Sequence, residues 1–282
     1  MIDIKIFEVE RGFCAAIDTW DHHTILIDCG YGAKFSPSEY ISSRRCRSLD
    51  CLVVSAYTED HLAGFPKILS HCWQHGLPIN FLIFNPTLNP EHFKGLNIPD
   101  LKLNNTLNPI AYACQASGWS SQIMEINEVK LSFFWNNAQN FPAPHNLSLV
   151  TFVSCRDINM ILPGDLETEG WSNLLQSPEF QEQLRRVNLF VASNHGQENG
   201  YCREVFDYCK PEIIIVSNKE NQPISPQMMS KYQSHALGAP FGICKKKVLT
   251  TYDDGTITVS KHLDKMRQIT TQPKSKYLLP LN

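Results

Sequence analysis

Hydrophobic and polar residues along the chain follow two periods, one typical of strands and one typical of helices. Short apolar or alternating runs predict strands, and apolar residues three and four positions apart predict helices. The predicted strands are residues 2–8, 13–18, 24–28, 49–55, 129–135, 147–154, 159–162, 189–193, 213–217 and 257–260. The predicted helices are residues 36–45, 65–75, 107–117, 167–175, 178–185, 201–209 and 225–234.

The predicted strands form two clusters with helices between them. Residues 49–55 are almost continuously apolar, which is typical of an interior strand covered on both faces. This pattern predicts an α/β fold in four layers, an αββα sandwich of two facing sheets with helices outside. We assign residues 1–260 to this domain and residues 261–282 to a C-terminal tail. Residues 81–144 are rich in Asn and Pro, and we expect them to shape a substrate face.

Composition limits the classes of partner and compartment. The chain has 282 residues, 43% of them hydrophobic, which is enough for a large core. Its net charge of -3 gives no general attraction to phosphate backbones, so nucleic-acid binding requires a local basic patch. No apolar run approaches the roughly 20 residues that cross a bilayer, and the chain opens on a strand rather than a signal segment. We therefore expect a cytoplasmic protein without membrane insertion.

Ten cysteines are present, and no two have the C-x-x-C spacing. This spacing is common in structural zinc sites and redox centres, so its absence argues against both. Buried free thiols are the expected state in a reducing cytoplasm.

Chemistry-bearing residues follow several predicted strands. Residues 56–61, which follow the apolar run, read Ala-Tyr-Thr-Glu-Asp-His. The other motifs are Ile-Leu-Ile-Asp-Cys-Gly at 25–30, Met-Ile-Leu-Pro-Gly-Asp-Leu-Glu at 160–167, Ala-Ser-Asn-His-Gly at 192–196 and Tyr-Asp-Asp-Gly-Thr-Ile at 252–257. In this order and spacing, the five motifs resemble the metallo-β-lactamase fold superfamily, whose metal loop reads His-x-His-x-Asp-His. The last two, together with His-Asn-Leu-Ser-Leu-Val at 145–150, resemble the ComEC-type branch attached to bacterial DNA-uptake channels.

The resemblance implies a metal site that has lost part of its ligands. In the superfamily, the first two loop histidines hold one metal, the Asp-His pair holds a second, and a later Asp bridges both. Ala56 and Thr58 stand in place of the first two histidines, so we expect one ion per chain. Two nitrogens and two carboxylates suit Zn²⁺ and also Mn²⁺ or Fe²⁺. The implied ligands are Asp60, His61, Asp165 and His195.

Some roles stay open at this level. The ComEC-type branch carries two histidines where this chain has Asn194 and His195, so the ligand in this motif can be either position. His145 can return one nitrogen to the first metal position or can be a surface residue. Glu59 can serve as a base, as a substitute ligand or as a solvated loop carboxylate. Asp28 is expected to orient a ligand from its strand end.

Each implied ligand also has a purely structural alternative. Asp60 and Asp165 can each cap a following helix, because a carboxylate accepts N–H bonds at a helix start. His195 can bond to the backbone in a turn. Only the metal-site interpretation brings these residues to one point.

The resemblance implies a metal-dependent hydrolase, most readily a phosphodiesterase or nuclease acting on nucleic acid. Asp60 or Asp165 would accept the proton of the attacking water. The alternative is a catalytically inactive metallo-β-lactamase fold that serves as a binding or regulatory subunit of a larger complex with a protein partner. Acyl or thioester hydrolysis is a third and weaker hypothesis.

Overall fold

Sixteen strands and eight α-helices are found in the computed structural model, which describes residues 1–9, 12–32, 35–44, 46–88, 122–218, 222–241, 244–262 and 265–272. The strands are β1 Ile2–Ile6, β2 Ala15–Thr19, β3 Thr24–Ile27, β4 Leu49–Val53, β5 Ile79–Ile83, β6 Ile123–Ile126, β7 Val129–Phe134, β8 Val150–Cys155, β9 Ile158–Leu162, β10 Leu189–Val191, β11 Ile213–Val216, β12 Ala239–Phe241, β13 Cys244–Lys246, β14 Val248–Thr250, β15 Thr256–Lys261 and β16 Gln268–Gln272.

The helices are short and lie mainly in the crossover connections. They are α1 Pro37–Arg44, α2 Glu59–Leu62, α3 Phe65–His75, α4 Thr168–Leu174, α5 Pro178–Arg186, α6 Val205–Tyr208, α7 Pro226–His235 and α8 Thr251–Asp254. Three 3₁₀ turns, Pro144–Leu147, Ser193–Gly196 and Glu198–Gly200, interrupt the loops. Among the described residues, none of these helices combines the length and the apolar character that a membrane crossing needs.

Two seven-stranded sheets contain most of the strands. The first has the order β16-β15-β1-β2-β3-β4-β5 and the second the order β14-β11-β10-β9-β8-β7-β6, while β12 and β13 form a separate hairpin. Within the first sheet β3, β4 and β5 are parallel, and within the second β9, β10, β11 and β14 are parallel. The carboxyl ends of parallel strands share one edge of a sheet, where α/β proteins usually place their ligands.

Three apolar layers hold the sandwich together. The layer between the sheets takes Ile4 and Ile17 from the first sheet and Phe133 and Ile215 from the second. A second layer packs α1 and α3 on the outer face of the first sheet, and a third packs α4, α5 and α7 on the outer face of the second. The order helix, sheet, sheet, helix is the αββα arrangement predicted from the sequence.

Helix α3 shows why the periodic segments were predictable. Its buried residues Phe65, Ile68 and Cys72 lie on one face, whereas Trp73, outside that face, is exposed. The helix ends at Gly76, whose left-handed φ of 61° suits a glycine C-cap. The bounds of α3 are those predicted.

Several observed elements differ from the predicted ones. The strand predicted at 147–154 begins only at Val150, because Pro144–Leu147 forms a 3₁₀ turn. The helix predicted at 201–209 is reduced to Val205–Tyr208, since Tyr201 has an extended backbone. Strand β16 lies in the segment predicted as a tail and pairs with β15. The helix predicted at 107–117 lies outside the described residues.

The nine described cysteines are free thiols. Seven of them are buried, Cys46 is half-buried and Cys244 is exposed. Burial raises the pKa of the Cys72 thiol to about 11 and that of Cys209 to about 12. The expectation of buried thiols is therefore confirmed for most of the described cysteines, and Cys244 is the exception.

Candidate metal centre

The candidate site lies where the parallel strands of both sheets end. Asp28 directly follows β3, and His61 belongs to α2 just beyond β4. From the second sheet, Asp165 follows β9, His195 follows β10 and Ser217 follows β11. The topology therefore brings together residues that are far apart in the sequence.

Three of the predicted ligands converge. One donor atom from each of His61, Asp165 and His195 lies within 4.8 Å of the other two. The Oδ1 atom of Asp165 is 3.0 Å from Nε2 of His61 and 3.7 Å from Nε2 of His195. Two ligands at about 2.0–2.1 Å from a tetrahedral zinc ion are about 3.3 Å apart. The two distances between Asp165 and the imidazoles are therefore close to the separation expected for ligands of one metal ion.

A buried carboxylate orients His61. The Nδ1 atom of His61 lies 2.7 Å from Oδ2 of Asp28, so an N–H at Nδ1 donates to this carboxylate. Asp28 also accepts a bond of 2.6 Å from the backbone N–H of Ser55 and a further bond from the Ser55 hydroxyl. This arrangement leaves Nε2 of His61 directed at Asp165, as a metal-binding imidazole requires.

His195 is oriented by a backbone carbonyl. Its Nδ1 atom lies 2.9 Å from the carbonyl oxygen of Ser217, and its Nε2 atom is buried without a hydrogen-bond partner. A buried polar atom without a partner is costly, and a bound ion would remove that cost. His195 therefore fits the role of a ligand.

Left-handed backbone conformations are concentrated at the site. Six described non-glycine residues have positive φ, and three of them belong here: Asp28 at 60°, Asn194 at 47° and His195 at 56°. This conformation costs most side chains roughly 1–2 kcal/mol, and Asp and Asn tolerate it better. Strain of this kind persists where surrounding bonds hold the backbone, and it is frequent at functional sites.

The protonation states follow from the geometry. Burial opposes a charge on His61, but the carboxylates of Asp165 and Asp28 outweigh it and raise the pKa of His61 well above its usual value. Binding of an ion at Nε2 would therefore displace the proton that this nitrogen shares with Asp165. Burial would raise the pKa of Asp165, but His61 outweighs it and holds that pKa low. Burial lowers the pKa of His195, which favours the neutral ring that binds metals.

A small cavity adjoins the three donors. The volume open to the centre of a water molecule is about 10 Å³, which is near the room that one water molecule needs. Its apolar wall includes Phe13, Leu162 and Val191. The ring of Phe13 is 6.2 Å from that of His61 and nearly parallel to it. Apolar walls weaken solvent screening, so charges inside the cavity interact strongly.

The other predicted residues lie around this group of three. Asp60 belongs to α2 and is half-buried, and its charge raises the pKa of His195 against the effect of burial. Its role as a ligand stays a prediction, because Asp60 is not among the three converging donors. Ala56 is fully buried, and the hydroxyl of Thr58 donates to Oδ2 of Asp165 over 3.3 Å.

The roles of Asn194, His145 and Glu59 were left undecided by the sequence. Asn194 is buried and donates its backbone N–H to the carbonyl of Gly164 over 3.1 Å. The Nδ1 atom of His145 lies 3.1 Å from a carboxylate oxygen of Glu167. Glu59 begins helix α2.

The two carboxylates do not occupy the N-cap positions of helices α2, α3 and α4. Helix α4 has Glu167 at its N-cap, and the carboxylate of Asp165 bonds to His61 and Thr58 instead. Asp60 lies inside α2, and the N-cap of the following helix α3 is Gly64. For His195, the alternative of a bond to the backbone in a turn accounts for Nδ1 only, because Nε2 has no hydrogen-bond partner.

Sequence reasoning missed three serines that support the ligands. Ser55 binds Asp28, Ser217 binds His195 through its carbonyl, and the Ser148 hydroxyl accepts the backbone N–H of Asp165 over 3.1 Å. Ser55 and Ser217 closely follow strands β4 and β11, and all three serines are buried. For Ser55 and Ser217, the available signal in the sequence was a polar residue just after a strand of buried apolar residues.

Comparison with known proteins gives a short sequence match and a structural match. Ribonuclease Z of Clostridium tetani (strain Massachusetts / E88) is 32% identical over 105 residues, which is 35% of this chain. The match spans about a third of that relative's length, 33%. No family model matches the chain.

Among solved structures, Igni18, a metallo hydrolase from the archaeon Ignicoccus hospitalis KIN4/I, superposes with a TM-score of 0.51 at 11% identity. That alignment covers 92% of this chain and 100% of the other. A metallo-β-lactamase from Cronobacter sakazakii gives a TM-score of 0.41 at 16% identity, covering 68% of this chain and 75% of the other, which is too weak to support an argument.

The fold class follows from the layers, the sheet order and the match to Igni18. The chain has the four-layer αββα metallo-β-lactamase fold, as the sequence predicted. At this level of identity the likeness concerns the fold alone.

Proposed function

We propose that the protein is a metal-dependent hydrolase, a phosphodiesterase of the nuclease type that works with one divalent ion. The observation that carries the proposal is the convergence of His61, Asp165 and His195 within 4.8 Å beside a small cavity. Two imidazoles and one carboxylate with open positions are a common catalytic donor set. Zn²⁺ is the proposed ion, with Mn²⁺ or Fe²⁺ as the other candidates.

The chain's own residues have distinct tasks in this proposal. Asp28 and the carbonyl of Ser217 bind Nδ1 of the two imidazoles, so Nε2 of each would be available to hold the ion. A bound divalent ion supplies Lewis-acid activation of water and of a phosphoryl oxygen. Asp60 or Asp165 accepts the proton that the attacking water loses. The apolar wall around Phe13 limits the access of bulk water.

Two similarities support a nucleic-acid substrate. The matched relative is a ribonuclease, and the motifs at 192–196 and 252–257 resemble the ComEC-type DNA-uptake branch. We place the reaction in the cytoplasm, where the free thiols stay reduced.

A second candidate function is a binding or regulatory subunit without activity that assembles with a protein partner. Ala56 and Thr58 favour it, because neither offers an imidazole at the first metal position. A single ion would then serve as a structural link.

Metal content and phosphodiester turnover separate the two candidates. We expect protein purified without added metal to hold at most one ion per chain by mass spectrometry. We expect it to hydrolyse bis(p-nitrophenyl) phosphate with Zn²⁺ or Mn²⁺. Asp165→Asn should lose the ion and at least about a hundredfold in kcat/KM.

Asp207→Asn is the matched control, since this carboxylate is exposed on α6. Bound metal without turnover would favour the regulatory subunit. Two tightly held ions would show that Ala56 and Thr58 were misinterpreted.

A further inference from the structure

A second group of metal-ligating side chains lies on helix α3, apart from the candidate metal centre. His71 and His75 are four residues apart and therefore lie on the same face of the helix. The centres of their rings are 4.5 Å apart, and the ring planes are tilted by 44°. Two side chains that can each offer a nitrogen are thus neighbours near the C-terminal end of α3.

The two rings are accessible from solvent. His71 is half-buried and His75 is exposed. Neither ring has a hydrogen bond or an ion pair to another described residue. Lys67, one turn before His71, places its ammonium over the ring of Tyr31, 5.2 Å from the ring centre. The nitrogens of both imidazoles are therefore available to a ligand from solvent.

The spacing and the chemistry of the two rings suit a metal ion. Two ligand atoms at about 2.0–2.1 Å from one tetrahedral ion are about 3.3 Å apart, a separation that rings with centres 4.5 Å apart allow. Histidines four residues apart on one helix face supply two of the ligands in a class of zinc enzymes. Imidazole binds Zn²⁺, Cu²⁺ and Ni²⁺ well, whereas Mg²⁺ and Mn²⁺ prefer oxygen ligands.

The pair is separate from the candidate metal centre. Helix α3 begins at Phe65 and rises by about 1.5 Å per residue, so His75 lies about 15 Å along the helix from its start. No third His, Cys, Asp or Glu donor joins the pair within the described part of the chain. An ion on this pair would therefore have two protein ligands and take water at its other positions.

We propose that His71 and His75 form a second metal site, which binds one Cu²⁺, Ni²⁺ or Zn²⁺ ion through one nitrogen of each ring. The helix holds the rings side by side, so the second bond forms within the molecule at a high effective concentration. Affinity is greatest for Cu²⁺, lower for Ni²⁺ and Zn²⁺, and lowest for Mn²⁺. With only two protein ligands, the ion exchanges readily and is removed when the protein is purified without added metal.

Equilibrium dialysis against Cu²⁺ and Ni²⁺ measures this site. Wild-type protein should bind one ion per chain that both His71→Gln and His75→Gln bind at least about tenfold more weakly, because a single imidazole cannot chelate. In the wild type, Cu²⁺ should broaden the NMR signals of the two histidine rings together. Both substitutions are on the surface of α3, and Gln is a good helix former.

His22→Asn is the control for loss of a histidine, because His22 is exposed in the turn between β2 and β3. Its φ is 70°, a backbone conformation that Asn tolerates. Wild-type affinity for Cu²⁺ in either Gln variant, or an equal loss in His22→Asn, would overturn the inference. These comparisons do not depend on turnover or on the ion of the candidate metal centre, so they leave the proposed function to its own test.

Discussion

Asp28 illustrates how much of the candidate site depends on single residues. The carboxylate is fully buried, and it accepts bonds from Ser55 and from the ring of His61. Its backbone has a φ of 60°, a conformation that Asp and Asn tolerate better than most residues. Burying a carboxylate is expensive without such partners, so the geometry is consistent with a dedicated orienting role.

Replacing Asp28 with Asn tests this role at the residue scale. Asn keeps the size and tolerates the left-handed backbone, but it accepts a weaker bond from His61 than a carboxylate does. We expect the affinity for Zn²⁺ to fall by about 10- to 100-fold, measured by competition with a chromophoric chelator. Asp207→Asn is again the matched control. Unchanged affinity would show that Asp28 does not orient the ligand.

The donors themselves were predictable from sequence because short motifs carry them. His61, Asp165 and His195 were all predicted as ligands, and these three converge. The carbonyl of Ser217 was not predictable, because every residue has a carbonyl and only the fold selects one of them. The pairing of His145 with Glu167 was also missed, since 22 residues separate them in the chain.

At the scale of elements, the loop before β2 packs against α2, the helix that carries His61. The backbone N–H of Phe13 donates to the carbonyl of Asp60 over 3.1 Å, and Phe13 also forms part of the cavity wall. Gly12 makes this approach possible. A Cβ atom there would lie 1.3 Å from the Asp60 carbonyl oxygen, and the φ of Gly12 is +82°.

Two glycine substitutions distinguish the effect of this close contact from the effect of backbone strain. Gly76 caps α3 with a φ of +61°, and a Cβ there would meet nothing within 4 Å. We expect Gly76→Ala to cost about 1 kcal/mol of unfolding free energy from strain. Gly12→Ala should cost more than about 3 kcal/mol and weaken zinc binding.

Urea unfolding and chelator competition measure both effects. Similar losses of stability in the two variants would contradict the proposed role of the loop.

At the scale of the whole molecule, the candidate site contains residues from both large sheets. His61 comes from the first sheet, whereas Asp165 and His195 come from the second. A ligand that binds all three would therefore link the two sheets, and binding only the folded state stabilises it. The ion is thus expected to affect global stability as well as chemistry.

Metal removal tests this link. With free Zn²⁺ at about 100 times its dissociation constant, the free energy of unfolding should exceed that of chelator-treated protein by about 2.7 kcal/mol. Thermal and urea unfolding of the two forms would measure the difference. Asp165→Asn should show no such gain. An equal gain in this variant would place the stabilising ion elsewhere on the protein.

The sequence by itself determined the periodic elements, the four-layer class and the residues with ligand chemistry. Apolar periods encode buried faces locally, so α3 and most core strands were predicted close to their observed bounds. The tertiary structure alone decided which donors meet, because that depends on the register and direction of strands far apart in the chain. Parallel strands in two sheets bring His61, Asp165 and His195 together, while Asp60 lies beside them. No local pattern encodes those distances.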